Sequence, residues 1–274
     1  MTAHPSSSIL WHLDARGVAT ITFNRAAVNN AYDGEFIAGV LDAMDALGKE
    51  ASLRVVVLRG AGKHFQAGAD LKWMRAIASR TAQDNLAVSR DTATVVRRLN
   101  ELPAPTVALV QGACFGGGTG IVAACDVVIA AENAVFSIAE TRWGLVGSIV
   151  LPQLADAIGV RQVRRYAQTG ERFNANEAHR IGLVHEVVAL AQLEATGERV
   201  VDQLLQNAPG ANAQTKAVAL ECAWAKMSEE KFTRLVAQHA AKRQSEEAAE
   251  GLASFAEKRA ARWYRSASTT KDEG

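Results

Sequence analysis

The feature that most restricts the fold of this chain is a run from residue 102 to residue 125 without a single charged side chain. A run of that length invites comparison with a membrane span. It contains Pro103, Pro105 and five glycines (Gly112, Gly116, Gly117, Gly118 and Gly120), so it makes a poor helix in lipid. It divides more naturally into a β-branched strand over residues 106–110, a glycine loop, and the start of a buried helix. A strand with no polar alternation is one covered on both faces, which points to a parallel sheet sandwiched inside an α/β fold.

The rest of the chain agrees with that reading. RVVVLR (residues 54–59) and DVVIA (126–130) are further uninterrupted strands, and residues 9–14 and 18–23 form a hairpin about Ala15-Arg16-Gly17. Between them, Phe36, Val40, Leu41, Met44 and Leu47 recur at helical spacing over residues 35–47, and a long helical pattern occupies residues 84–102. Strands alternating with helices imply parallel crossover units. From about residue 192 glycines become scarce and strands stop. Charged helical segments follow at residues 192–206, 212–226, 229–250 and 252–265. Two regions are therefore expected, an α/β body over residues 1–190 and a helical region over 191–274.

With 49% hydrophobic residues the chain can bury a large core without cross-links. Its formal charge of +1 supplies no positive field for nucleic acid, so a polyanion-binding role is not expected. Cys114, Cys125 and Cys222 are far apart and fit neither a disulfide framework nor a metal site, so buried thiols in a reducing compartment are expected. The start, MTAHPSSSIL, lacks the basic and apolar regions of a signal peptide. The expectation is a cytoplasmic protein that engages neither membrane nor nucleic acid.

Three segments could carry chemistry. HFQAGADL (residues 64–71) follows a buried strand and leads into a helix, where small residues let a ligand approach the backbone. Its plainer reading is a turn with Asp70 as a helix cap. The loop from Gly116 to Gly120 suits an anion or a developing oxyanion. Gly118, Gly120 and Ala123 also satisfy the dinucleotide pattern G-x-G-x-x-A, with Glu140 where a ribose-binding acid would fall. The loop starts several residues after its strand, and the next strand ends well before Glu140, so on this segment alone the two readings stand level. Glu140 itself lies between apolar stretches. Most lone glutamates are solvated, but a partly buried one would have a raised pKa suited to proton transfer near neutrality. There is no P-loop, no G-x-S-x-G elbow, and no ligand spacing among the six histidines, so no metal is expected.

Taken in order, HFQAGADLKWM, VQGACFGGGTGIVAACDVVIA, AVFSIAETRWGL and the late SFAEKR resemble the crotonase (enoyl-CoA hydratase/isomerase) superfamily, closest in pattern to the branch that hydrates 3-methylglutaconyl-CoA and isohexenylglutaconyl-CoA. The resemblance runs nearly end to end and displaces the dinucleotide reading, which explains one segment only. It implies a spiral of ββα repeats followed by a helical trimerisation region, and assembly as a homotrimer or homohexamer. The implied substrate is an acyl-CoA thioester, with coenzyme A as part of the substrate and no separate cofactor.

By position, the resemblance places the oxyanion donors on the backbone N–H groups of Ala69 and Gly117 and the catalytic carboxyl on Glu140. Coenzyme and substrate contacts fall on Ala67, Gly68, Asp70, Leu71 and Gly116, and on Val28 and Asn30 in NRAAVNNA. That segment has Ala27 where the family has a lysine, with Arg25 as the substitute cation. Phe255 and Lys258 match residues that reach the coenzyme, often from a neighbouring subunit. Hydratases of the family carry a second glutamate where this chain has Gly120. The expectation is that Gly120 vacates space for a branched acyl group, that Glu140 handles both proton transfers, and that Arg142 meets a substrate carboxylate. The resemblance implies an enoyl-CoA hydratase. Its rivals are a Δ3,Δ2-enoyl-CoA isomerase working with Glu140 alone, a hydrolase or decarboxylase, and a non-catalytic acyl-CoA-binding member.

Overall fold

The computed structural model describes residues 8–224 and 228–259. Its centre is a six-stranded sheet in which the uninterrupted β-branched runs are the inner strands. Strands β1 (Ile9–Leu13) and β2 (Val18–Phe23) form the expected antiparallel hairpin, and β3 (Val55–Gly60) adds to β2 in parallel. Helix α1 (Gly34–Leu47) connects β2 to β3. Its start is fixed by Asp33, whose carboxylate accepts from the Phe36 amide, and its buried face carries Phe36, Val40, Met44 and Leu47.

Between β3 and the next strand run α2 (Leu71–Ala78) and α3 (Ala82–Glu101), the latter opened by a capping box between Thr81 and Asp84. Strand β4 (Thr106–Val110) pairs with β3, and after a corner at Gly112 the chain enters β5 (Ala113–Phe115) and then α4 (Gly117–Ala123). The same sequence of events recurs with β6 (Val127–Ala131) beside β4, then β7 (Val135–Ser137) beside β5, then the helical turn Glu140–Trp143 and α5 (Leu151–Thr169). Gln66, after β3, bridges in parallel to Cys114 of β5 and so occupies the matching place one turn earlier. Each turn thus lays one strand in a large sheet, one short stretch in a small sheet, and then a helix. That is the ββα spiral.

Strand β8 (Arg172–Asn174), helix α6 (Ala175–Arg180) and strand β9 (Glu186–Val188) complete the body. The large sheet has the order β1-β2-β3-β4-β6-β9 and the small one β5-β7-β8. Among the described residues beyond 192 all regular structure is helical: α7 (Leu193–Leu205), α8 (Pro209–Trp224), α9 (Glu229–Arg243) and α10 (Glu246–Ala256). Helix α7 covers one face of the large sheet with Leu193, Val200 and Val201 against Val55, Val107 and Ile129. The other face holds the main core, including Phe23, Phe36, Phe65, Leu99 and Phe136. Double coverage explains why these strands read as unbroken apolar runs.

Two expectations need correction. Residues 229–250 are two helices, because the Ser245 hydroxyl accepts from the Ala248 amide and starts α10 afresh. The segment expected over 252–265 is the end of α10, and its part beyond residue 259 lies outside the described residues. Cys114 and Cys125 are buried free thiols, while the side chain of Cys222 lies outside what is described. No helix among the described residues is long and apolar enough to cross a membrane.

Candidate active site

Two loops leave the C-terminal side of the sheets and meet. The first, residues 61–70, is pinned amide by amide. Phe65 donates to Gln111 O, Gln66 to Ala113 O, Ala67 to Asn29 O, Gly68 to the Gln66 side-chain oxygen, and Asp70 to Tyr32 O, all at 2.7–3.1 Å. Over residues 65–70 the Ala69 amide alone has no protein acceptor among the described residues. Backbone donors are nearly always paired, so a spare one held in a rigid loop is available to a ligand. Gly68 adopts φ +91°, a left-handed conformation that turns the chain between its neighbours' hydrogen bonds.

The second loop is the glycine turn that opens α4. Gly116 has φ +50° and donates to Ser137 O, which lifts the chain off β5 into the helix. Gly117 is the first residue of α4, where an amide has no acceptor within its own helix, and none is supplied by the described residues. A Cβ on Gly116 would stand 3.9 Å from Gly68 Cα, so the two loops are in contact. Ala69 and Gly117 line one cavity of about 340 Å³, together with Tyr32, Glu140, Val150 and Phe255.

Glu140 enters the same cavity from the first position of the turn after β7. A Cβ on Gly116 or on Gly147 would each lie 3.3 Å from its Oε1. The carboxyl is thus clasped between two glycines, and its Oε2 is buried with no hydrogen-bond partner. Burial without a compensating cation raises its pKa from the ordinary carboxylate range to about 7. Gly251 of α10 packs so closely on the Trp143 backbone that an added Cβ would lie 2.4 Å from it, and Trp143 meets Phe255 edge-on at 4.4 Å. Helix α10 therefore braces the turn that holds Glu140.

Of the residues the sequence singled out, Ala67, Gly68, Ala69, Leu71, Gly116, Gly117, Glu140, Arg142 and Phe255 converge on this cavity. Arg25, Ala27, Val28, Asn30, Asp70, Gly120 and Lys258 do not line it. Asn30 is completely buried, donating to Ala61 O and His64 O and accepting from the Arg25 amide, so it holds the loop together and presents nothing to a ligand. Arg25 is engaged with Asp33 at 2.6 Å, with Asp70 at 3.7 Å and with the Ala31 carbonyl. Its charge is matched within the protein. Asp70 caps α2 through the amides of Lys72 and Trp73. Ala27 and Val28 are exposed on the short turn Ala26–Val28, and Lys258 is exposed just past α10.

The expectation for Gly120 is also corrected. A Cβ there would lie 2.2 Å from Val150 Cγ1, so the space where the family resemblance implies a second glutamate is filled by Val150. It is not vacant for an acyl branch. Gly120→Glu is therefore expected to lower folding stability by about 3 kcal/mol or more, from overpacking and an unpaired buried carboxylate. Adding Val150→Ala should recover part of the loss, as thermal unfolding would show.

Sequence reasoning missed Tyr32, Val150 and His239, all of which line the cavity. Tyr32 lies against Gly117, 2.8 Å from where a Cβ would be, and burial pushes its phenol up to about 12, so it stays neutral. No motif marks it. His239 stands four residues before Arg243 on one helix, a spacing that brings the two together but does not reveal the cavity.

Comparison with known proteins agrees with this geometry. Residues 14–266 match the family model described as enoyl-CoA hydratase/isomerase. The hydroxycinnamoyl-CoA hydratase-lyase of Pseudomonas fluorescens is 34% identical over 196 residues, covering 70% of this chain and 71% of that protein. A mitochondrial Delta(3,5)-Delta(2,4)-dienoyl-CoA isomerase of Dictyostelium discoideum is 30% identical, covering 90% of this chain and 87% of that one. The crystal structure of an enoyl-CoA hydratase from Mycobacterium avium subsp. paratuberculosis superposes with a TM-score of 0.83 at 30% identity, over 95% of this chain and 100% of the other. From the paired loops, the ββα spiral and these matches, the chain belongs to the enoyl-CoA hydratase/isomerase family.

Proposed function

We propose that the protein hydrates a branched or carboxylated 2-enoyl-CoA, such as a 3-substituted glutaconyl-CoA, through an enolate held by the amides of Ala69 and Gly117. One observation carries this reading: two unpaired backbone donors and one buried, unpaired carboxyl line the same cavity. Negative charge develops on the thioester oxygen when water adds to the conjugated double bond, and fixed donors stabilise it without reorganising. Glu140, as carboxylate, takes a proton from water while the hydroxide oxygen bonds to C3. The same carboxyl then gives that proton to C2 of the enolate, and the carboxylate is restored. Binding contacts to the thioester come from the loop at Ala67, Gly68 and Leu71 and from Gly116. On this reading the helices beyond residue 192 mediate a homotrimer or hexamer.

A second reading rests on Glu140 being the only carboxyl that lines the cavity among the described residues. Moving a double bond from C3 to C2 needs one carboxylate, which takes a proton from C2 and returns it to C4. Absorbance of the conjugated thioester separates the two readings. It falls when a 2-enoyl-CoA is hydrated and rises when a 3-enoyl-CoA is isomerised.

Both mechanisms start from the ionised carboxyl, so kcat/KM should fall as pH drops below about 7, where Glu140 becomes protonated. A profile flat from pH 8 to pH 5 would contradict a catalytic role for Glu140.

A further inference from the structure

Behind Thr92 of α3 and His239 of α9, which line the cavity, lies a cation, Arg243, that no acidic side chain among the described residues neutralises. Arg243 is 4% exposed, and its Nη1 is buried with no hydrogen-bond partner. Its Nη2 donates to Ser89 Oγ at 3.0 Å and to His239 Nδ1 at 3.1 Å. No acidic side chain among the described residues lies within ion-pair distance of it. A buried guanidinium without a counter-charge is costly, and such groups persist where an anion completes them.

These contacts also fix the proton on His239. Arginine can only donate, so His239 Nδ1 must present its lone pair. The Ser89 hydroxyl receives one Arg243 bond and sits 2.9 Å from Nδ1, which leaves its own proton to donate to that nitrogen. Burial and the adjacent guanidinium push the imidazole pKa down to about 3, so the ring is neutral. Its single proton therefore resides on Nε2. His239 lines the cavity, and Nε2 has no protein acceptor among the described residues. Tyr32, Glu140 and His239 line the same cavity, so this wall faces the space that the carboxyl enters.

We propose that His239 Nε2–H, with the Arg243 guanidinium behind it, forms a subsite for a carboxylate carried by the acyl chain of the substrate. The subsite deepens the reading of the cavity as an acyl-CoA site and rests on it. It assigns the substrate to the mono-thioesters of dicarboxylic acids. It also moves the carboxylate away from Arg142, which is exposed on the turn bearing Glu140, where water screens its charge.

Calorimetric binding of two unreactive saturated thioesters tests this without turnover. The pair is 3-methylglutaryl-CoA and 3-methylpentanoyl-CoA, which differ in a terminal carboxylate against a methyl group. The wild-type protein should bind the carboxylated thioester about 10-fold tighter or more. His239→Leu and Arg243→Gln should each bring the ratio of the two affinities to within about 2-fold, while Arg142→Gln keeps it. Should Arg243→Gln fail to fold, the wild-type ratio and His239→Leu still decide. Equal binding of both thioesters by the wild type, a ratio that survives His239→Leu, or its loss in Arg142→Gln would overturn the subsite alone. Failure of both thioesters to bind would overturn the acyl-CoA reading with it.

Discussion

Glu140→Gln is expected to lower kcat about 10³- to 10⁴-fold with little change in KM, because the amide can neither take a proton from water nor return one to carbon. The same substitution should change stability in a pH-dependent way. The folded-state pKa of Glu140 is raised from 4.5 to about 7, so the wild-type fold favours the protonated form. Stability from this group is fully present below the unfolded value and is lost as pH rises through the folded one. The glutamine variant has no such group. Its stability relative to wild type should therefore improve by about 2–3 kcal/mol between pH 5 and pH 8.5, measured by denaturant unfolding at each pH. Full activity in Glu140→Gln, or a pH-independent stability difference, would contradict the environment described for this carboxyl.

The second large effect concerns an amide, which no ordinary side-chain change removes. Gly117 stands at the first position of α4, where proline is tolerated because that N–H has no intrahelical partner. Gly117→Pro deletes one of the two proposed oxyanion donors and adds a Cβ that meets the Tyr32 ring. Gly117→Ala adds the same Cβ and keeps the N–H. The proline variant should be slower than the alanine variant by about 10²- to 10³-fold in kcat, which reads the donor apart from the steric change. Equal rates for the two variants would mean that the amide does not touch the reacting oxygen.

How much of this was legible in the sequence follows from what each residue must satisfy locally. The runs at residues 54–59, 106–110 and 126–130 were readable as strands because burial on both faces leaves no polar position to blur the signal. Strands β5, β8 and β9 were not, since three residues are too few to show alternation. Helix α5 carries Pro152 near its start and Gly159 with φ 74° inside it, which break the apolar period that would have marked it. In the site, the two donor loops were legible through their ordered motifs. The occupant of the space beside Gly120 was not, because Val150 arrives from a later element and leaves no local mark. The protein partners of Asn30 and Arg25 were hidden for a related reason. Their polar groups answer to the carbonyls and carboxylates of their own loop, a demand visible only once the loop is folded. The pairing of Arg243 with Ser89 joins two helices distant in sequence, so no spacing rule could expose it.

The central claim is that the Ala69 and Gly117 amides converge on a single thioester oxygen. Infrared difference spectroscopy of a ¹³C=O-labelled, unreactive acyl-CoA bound to the protein reads that contact directly. The account predicts a carbonyl stretch shifted to lower frequency than in water, with much of the shift lost in Gly117→Pro and retained in Gly117→Ala. A bound carbonyl that absorbs where it does in water, or a shift unaffected by the proline, would contradict it.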